Sequence, residues 1–176
     1  MVAGITLTAP NGATFAVMQE LADVFALQHA AAESRAGLLV ELGTWNAGGT
    51  YALRAACPMV PMVSYDRTLP QLTRAQQEAL GQHTLLVEAD VFADPRRLAS
   101  LWEQRPWPVF LYCDDGDKPR EVATFAPLLR PGDVIGCHDW GPEIGPAHVL
   151  DPLREFEPFA TEATEGTLCR FWRRRP

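Results

Sequence analysis

The sequence lacks the features that mark several large classes of protein. Its four cysteines lie far apart, with no Cys-x-x-Cys pair and no metal-ligand spacing, which argues against a zinc centre or a disulfide framework. No apolar run approaches the roughly 20 residues of a membrane span. The net charge of −7 argues against a polyanion as the main partner, and basic residues crowd only the C-terminal tail, at Arg170 and Arg173 to Arg175. We therefore expect neither a membrane partner nor a nucleic-acid partner.

The length and the cysteines indicate how the chain folds and in which compartment. At 176 residues it has the length of one domain that buries its own core. Cys113, Cys137 and Cys169 sit in apolar, strand-like runs, where free thiols act as small hydrophobes. The sequence does not open with a basic stretch, an apolar core and a cleavage site. The prediction is a single-domain, cytoplasmic protein over residues 1–176.

Short apolar segments alternate with helical patterns along most of the chain. Strands are predicted at 38–42, 60–66, 84–90, 108–114 and 134–139. Helices are predicted at 14–34, 47–56, 69–80, 95–104 and 118–129. Such alternation is typical of parallel strands joined by right-handed crossovers. The last segment, REFEPFATEATEGTLCRFWRRR, predicts two further strands joined by a tight turn at Glu165 and Gly166.

These elements predict an α/β fold, a doubly wound and mostly parallel sheet with an antiparallel hairpin at the C-terminus. The chain then divides into three parts. Residues 1–36 are predicted as an N-terminal helical cap, 37–140 as the ligand-binding core and 141–176 as the C-terminal hairpin.

An acidic residue lies at or near the end of each predicted central strand. These residues are Glu41, Asp66, Asp90, Asp114 and Asp139. Ligands of an open α/β sheet bind beyond the carboxyl ends of its strands. One acid alone is often a turn cap, but several at one edge repel each other unless ligand hydroxyls, a cation or basic side chains accept them. The pattern therefore predicts a ligand site at this edge.

A glycine-rich turn follows the first central strand. It reads Glu-x-Gly-x-x-x-x-Gly-Gly, from Glu41 through Gly43 to Gly48 and Gly49, and differs from the Gly-x-Gly-x-x-Gly that holds a pyrophosphate. An acid beside the turn suits a ligand with a cationic end. Asp66 is placed for the two hydroxyls of a ribose, and Asp90 with the backbone near Val91 for the amino edge of an adenine. Together these groups describe S-adenosylmethionine (SAM).

Four segments carry a resemblance to a known family: LLVELGTWNAGGTYAL, SYD, EADVF and DDGDKPREVATFAPLLRPGDVIGCHDW. Over about residues 12–140 they resemble the class I SAM-dependent methyltransferases, and most closely the branch with cephalosporin hydroxylase-like, macrocin and rhamnosyl O-methyltransferases. The resemblance implies a seven-stranded, Rossmann-like sheet completed by the C-terminal hairpin. It also implies a cofactor site made of Glu41, Gly43, Thr44, Gly48, Gly49, Asp66, Asp90, Val91 and Asp114.

The resemblance also raises the question of a metal ion. Asp114 and Asp139 would end neighbouring strands, about 5 Å apart, and with Asp115 they offer the oxygen ligands that Mg²⁺ prefers. Relatives commonly carry Asp-Gly-x-His after this strand, whereas Lys118 stands in the histidine's place here. The lysine either neutralises the acids itself or is solvated at a helix start. Asp114, Asp115 and Asp139 are the candidate ligands if Mg²⁺ binds.

His138 and Asp139 are the candidate catalytic residues, since a strand ends there and imidazole titrates near neutral pH. Methyl transfer to a hydroxyl needs a base or a metal, which favours O-methylation of a small molecule. A non-catalytic binding module with the same fold stays open as an alternative. A nicotinamide-dependent oxidoreductase is less favoured, because the sequence lacks a Tyr-x-x-x-Lys pair. The short chain leaves little to cover an acceptor pocket, so we also expect a homodimer.

Overall fold

The computed structural model describes residues 4–103 and 105–176. The strands are β1 Ile5–Thr8, β2 Thr14–Val17, β3 Leu38–Leu42, β4 Met62–Asp66, β5 Thr84–Glu88, β6 Val109–Cys113, β7 Val134–Cys137, β8 Phe156–Phe159 and β9 Arg170–Arg174. The helices are α1 Leu21–Ser34, α2 Gly48–Ala56, α3 Arg74–Leu80, α4 Pro95–Glu103, α5 Lys118–Phe125, α6 Pro146–Val149 and α7 Thr161–Thr164. A 3₁₀ turn, Ala126–Leu128, extends α5. Within the described ranges, no helix is both long enough and apolar enough to cross a bilayer.

Seven strands form one sheet in the order β5-β4-β3-β6-β7-β9-β8. The five strands β3 to β7 are parallel, and β9 runs antiparallel to both of its neighbours. The predicted fold class is therefore confirmed, including the C-terminal hairpin. Strand order reverses between β3 and β6, which is where ligands bind in doubly wound folds. Every residue of these two strands is buried, as expected for the middle of a sheet covered on both faces.

Helices cover both faces of the sheet. On one face Val24 and Leu27 of α1 pack with Leu53 of α2. On the other face Trp102 of α4 packs with Phe125 of α5. The Trp102 indole nitrogen also donates to the carbonyl of Leu128, so the large ring is buried with its polar atom satisfied. The two layers hold the loops at the carboxyl edge of the sheet in fixed positions.

The predicted helix at 14–34 is wrong over its first residues. Residues 14–17 form β2, which pairs with β1 in an antiparallel hairpin. Phe15 and Val17 are buried while their neighbours in β2 are exposed, a period of two that the longer helical pattern concealed. The helix begins only at Leu21, after a capping box between Glu20 and Asp23. The N-terminal segment therefore combines a hairpin and a helix.

Two further boundaries also differ from the sequence predictions. The strands β8 and β9 are joined by residues 160–169, which include α7, and not by a tight turn at Glu165 and Gly166. Helix α3 begins at Arg74 and not at residue 69, because the Thr73 hydroxyl accepts a hydrogen bond from the Gln76 backbone and caps it.

Candidate active site

Glu41 is the second-to-last residue of β3 and is buried at the carboxyl edge of the sheet. Its Oε2 accepts hydrogen bonds from the Thr50 hydroxyl on α2 and from the Ser64 hydroxyl on β4, each at 2.5 Å. Burial raises the pKa of the Glu41 carboxyl to about 8, although both hydroxyls act to lower it. Glu41 thereby ties three elements together below the turn that follows it.

Residues 43–49, the glycine turn, approach other backbone too closely for larger residues. Gly43 has φ 98°, and a Cβ there would lie 2.3 Å from the Asp114 carbonyl oxygen. A Cβ on Gly48 would lie 2.2 Å from the carbonyl oxygen of Ala16 in β2. The turn is therefore wedged between β6 and the N-terminal hairpin, and only glycine fits at these two positions.

The glycine turn also holds two non-glycine residues in the left-handed region, Trp45 at φ 42° and Ala47 at φ 60°. Such conformations cost free energy and cluster at ligand sites. The Trp45 backbone donates to Asp66 Oδ2 at 2.7 Å, and the Thr44 hydroxyl shares a hydrogen bond with Ser64 at 2.6 Å. These bonds to β4 fix the strained turn in one conformation.

The glycine turn lines a cavity of about 200 Å³. Its other walls are Glu41, residues 16–19, which are the end of β2 and the two residues after it, and the residues that directly follow β6 and β7. The structure thus brings together eight of the predicted site residues, namely Glu41, Gly43, Thr44, Gly48, Gly49, Asp114, His138 and Asp139.

The residues predicted to bind adenosine lie apart from this cavity. Asp90 and Val91 line a second cavity of about 530 Å³, together with Tyr65 and residues of α4. Asp90 Oδ1 accepts a hydrogen bond from the Phe92 backbone at 2.9 Å, a common turn cap. Asp66 lines neither cavity, and its carboxylate accepts the backbone N–H groups of Trp45 and Thr68.

Lys118, the first residue of α5, reaches three carboxylates, which we call the acid cluster: Asp114, Asp139 and Glu143. Its Nζ lies 3.3 Å from Asp114 Oδ1, 2.8 Å from Asp139 Oδ2 and 2.9 Å from Glu143 Oε2. Burial lowers the pKa of Lys118, but the carboxylates outweigh it and the pKa is well above its usual range. Burial raises the pKa of Asp114 to about 6, against the charges of His138 and Lys118.

Carboxylates face both ring nitrogens of His138. Nδ1 lies 3.1 Å from Asp139 Oδ1, and Nε2 lies 3.5 Å from Asp23 Oδ2 without a hydrogen-bond partner in the described part of the chain. Burial lowers the pKa of His138, but the bond to Asp139 and the neighbouring acids raise it above its ordinary value. The same bond holds the pKa of Asp139 well below its usual range. The surrounding carboxylates therefore stabilise the protonated form of His138 relative to a free imidazole.

The three candidate metal ligands do not converge. Oxygen or nitrogen atoms of Asp114, His138 and Asp139 lie within 4.8 Å of one another, but Asp115 is outside this group. Burial and then the charge of Asp66 raise the pKa of Asp115. Lys118 already pairs with both aspartates of the group. The predicted set of Asp114, Asp115 and Asp139 therefore does not fit a divalent cation, although Asp114 and Asp139 do lie together as predicted.

Three residues of the site were not predicted from the sequence. Gln19 donates to Asp114 Oδ2 at 2.9 Å, while its own Oε1 is buried without a hydrogen-bond partner among the described residues. Asp23 faces His138, and Glu143 faces Lys118. Gln19 lay inside the predicted helix, so no strand-end or glycine signal pointed to it.

A cavity of about 740 Å³ lies at the C-terminal hairpin and contains none of the predicted site residues. Trp140 and Trp172 form part of its wall, with ring centroids 5.4 Å apart. Trp140 directly follows Asp139 in the chain. The wall of this cavity, which includes two tryptophan rings, therefore begins at the residue after Asp139.

Solved structures of similar fold were found. CmcI in its apo form has a TM-score of 0.67 at 16% identity, over 92% of this chain and 74% of that one. CmcI with Mg and SAM has a TM-score of 0.65 at 17% identity, over the same 92% and 74%. TomG from Streptomyces achromogenes, an O-methyltransferase in complex with SAM, has a TM-score of 0.53 at 14% identity, over 89% and 81%.

No family model matches the chain, and no curated protein matches its sequence. At such low identities, the structural likeness shows the fold. The chain has the Rossmann-like methyltransferase fold that was predicted from its sequence.

Proposed function

We propose that this chain, with its methyltransferase fold, binds SAM and transfers the methyl group to a hydroxyl of a small molecule. The observation that carries the proposal is the glycine turn directly after the central strand β3. It lines one cavity with Glu41, Asp114 and the His138–Asp139 pair. SAM-bound neighbours of the same fold, CmcI and TomG, support this choice of ligand.

The cavity chemistry suits the methionine end of SAM. The glycines let the turn pack directly against the backbone of Asp114 and Ala16, which places the turn's own backbone at the cavity wall. The unpaired Oε1 of Gln19 is an acceptor that needs a donor, and an amino group supplies one. Asp66 and Asp90, both beyond β3 on the side of β4 and β5, are the proposed ribose and adenine contacts. The adenine would then occupy the cavity beside Val91.

SAM supplies an electrophilic methyl group on a sulfonium. The methyl bond to sulfur breaks and leaves its electron pair there, while a new bond forms to the acceptor oxygen. The proton of the hydroxyl would pass to His138 in its neutral form, with Asp139 holding the ring through Nδ1. The protein otherwise acts by positioning the two reactants. The aromatic wall beginning at Trp140 suits an apolar part of the acceptor.

One observation favours a second candidate, a binding module without catalysis. Nδ1 of His138 and both oxygens of Asp139 are engaged in ion pairs, and the remaining ring nitrogen, Nε2, faces the Asp23 carboxylate, which opposes release of a proton from the ring. The homodimer and the cytoplasmic location stay predictions.

Methyl-labelled SAM and a panel of hydroxylated small molecules test the proposal. We expect labelled product from at least one acceptor, and SAM binding that NAD does not displace. Binding without transfer to any acceptor would favour the module. NAD binding in place of SAM would favour the oxidoreductase.

A further inference from the structure

Lys118 is enclosed by the acid cluster at the carboxyl ends of β6 and β7. Its side chain is 4% exposed, and its Nζ lies within 3.3 Å of an oxygen of each of the three carboxylates. We propose that the Lys118 ammonium is the resident cation of this site and excludes a divalent metal ion from it.

The position of Lys118 in its helix is unfavourable for a cation. Lys118 is the first residue of α5, after the cap residue Asp117. The N-terminal end of a helix carries partial positive charge and repels an ammonium there. Burial adds a second cost, because a charge loses its hydration. The three carboxylates offset both costs, so the acid cluster is what holds this lysine.

Each donor of the Lys118 ammonium, and each oxygen of Asp114 and Asp139, already faces a partner. An ammonium has three N–H donors, and three carboxylate oxygens surround this one at 2.8 to 3.3 Å. The second oxygen of Asp114 accepts from Gln19, and the second oxygen of Asp139 faces His138 Nδ1. A metal ion bound to Asp114 and Asp139 would therefore have to displace or share these partners.

Electrostatics also opposes a metal ion beside Lys118. A magnesium ion lies about 2 Å from its oxygen ligands. Bound between Asp114 and Asp139, it would approach the ammonium to within about 4 Å, where like charges at a partly buried site repel strongly. Lys118 thus supplies the positive charge between the carboxylates and occupies the position that a metal ion would need.

Binding of Mn²⁺, followed by electron paramagnetic resonance, tests this proposal without SAM or an acceptor. The wild-type protein is expected to bind no Mn²⁺ at the acid cluster. Lys118→Met keeps the length of the side chain and removes the charge, so it is expected to bind one Mn²⁺ at least about 100-fold more tightly. The double variant Lys118→Met, Asp139→Asn should lose that binding.

Arg74→Met is the matched control, because Arg74 pairs with Glu78 at 2.8 Å on the exposed surface and its loss should create no Mn²⁺ site. Wild-type binding that Asp139→Asn abolishes would overturn the proposal, as would a folded Lys118→Met without Mn²⁺ affinity. If Lys118→Met does not fold, the double variant Lys118→Gln, Glu143→Gln replaces it. This variant also removes one of the three carboxylates, which repel each other once the lysine charge is gone. A folded double variant that ignores Mn²⁺ would then overturn it. The result is independent of methyl transfer, so the two proposals fail separately.

Discussion

Replacement of the buried acid Glu41 by glutamine tests the electrostatics below the glycine turn. The pKa of Glu41 is raised from 4.5 to about 8, mainly by burial. Ionising it inside the fold therefore costs about 5 kcal/mol relative to the unfolded chain. Because this pKa is raised, the contribution of Glu41 to the free energy of unfolding is fully present below pH 4.5. It is lost as the pH rises to about 8. Glu41→Gln removes this loss, because an amide does not ionise.

The expected magnitude follows from the same shift. Between pH 5 and pH 8 the unfolding free energy of Glu41→Gln minus that of the wild type should rise by about 3 kcal/mol. Imperfect hydrogen bonds from Thr50 and Ser64 to the amide add a constant term, which cancels in this difference. Denaturant unfolding at pH 5, 7 and 8 measures it, with the exposed Glu157→Gln as the control. A difference that does not change with pH would refute the reasoning.

Three further variants probe the proposed ligand contacts. Asp66→Ala should weaken binding of S-adenosylhomocysteine by about 100-fold, because two charge-assisted hydrogen bonds are lost. The control, Asp151→Ala, changes an exposed carboxylate and should leave the affinity unchanged. Equal affinities of the two variants would remove the ribose assignment. Gly43→Ala should have a lower denaturation midpoint than Gly12→Ala. Both glycines have positive φ, but only at Gly43 would a Cβ collide with the Asp114 carbonyl. Equal midpoints would exclude the steric argument. His138→Ala should slow methyl transfer far more than it weakens cofactor binding. The wild-type rate should rise with pH through the raised pKa of His138, and unchanged turnover in the variant would make His138 structural.

The sheet was predictable because its central strands are short, continuous apolar runs that end at acids. β3 and β6 are buried on both faces, so they read as continuous apolar runs in the sequence. The hairpin of β1 and β2 was not predictable, because four residues from Thr14 with period two merge into the helix pattern that follows them. The local sequence pattern therefore predicts long strands and helices and fails for short ones.

The site was predictable only where it depends on the main sheet. Glu41, Gly43 and His138 come together because parallel strands end at one edge. The role of Lys118 was left open, since only the fold brings Glu143 to it from the loop after β7. Gln19 reaches Asp114 across a sequence separation of 95 residues, which no local spacing encodes. Polar contacts between distant segments therefore had to come from the structure.

Calorimetric titration with SAM, S-adenosylhomocysteine and NAD, each with and without Mg²⁺, tests the central claim most directly. We expect binding of the two sulfur ligands, with affinities on the order of micromolar, no binding of NAD, and no change on adding Mg²⁺. Failure of both sulfur ligands to bind would contradict the claim and reduce the glycine turn after β3 to a structural turn.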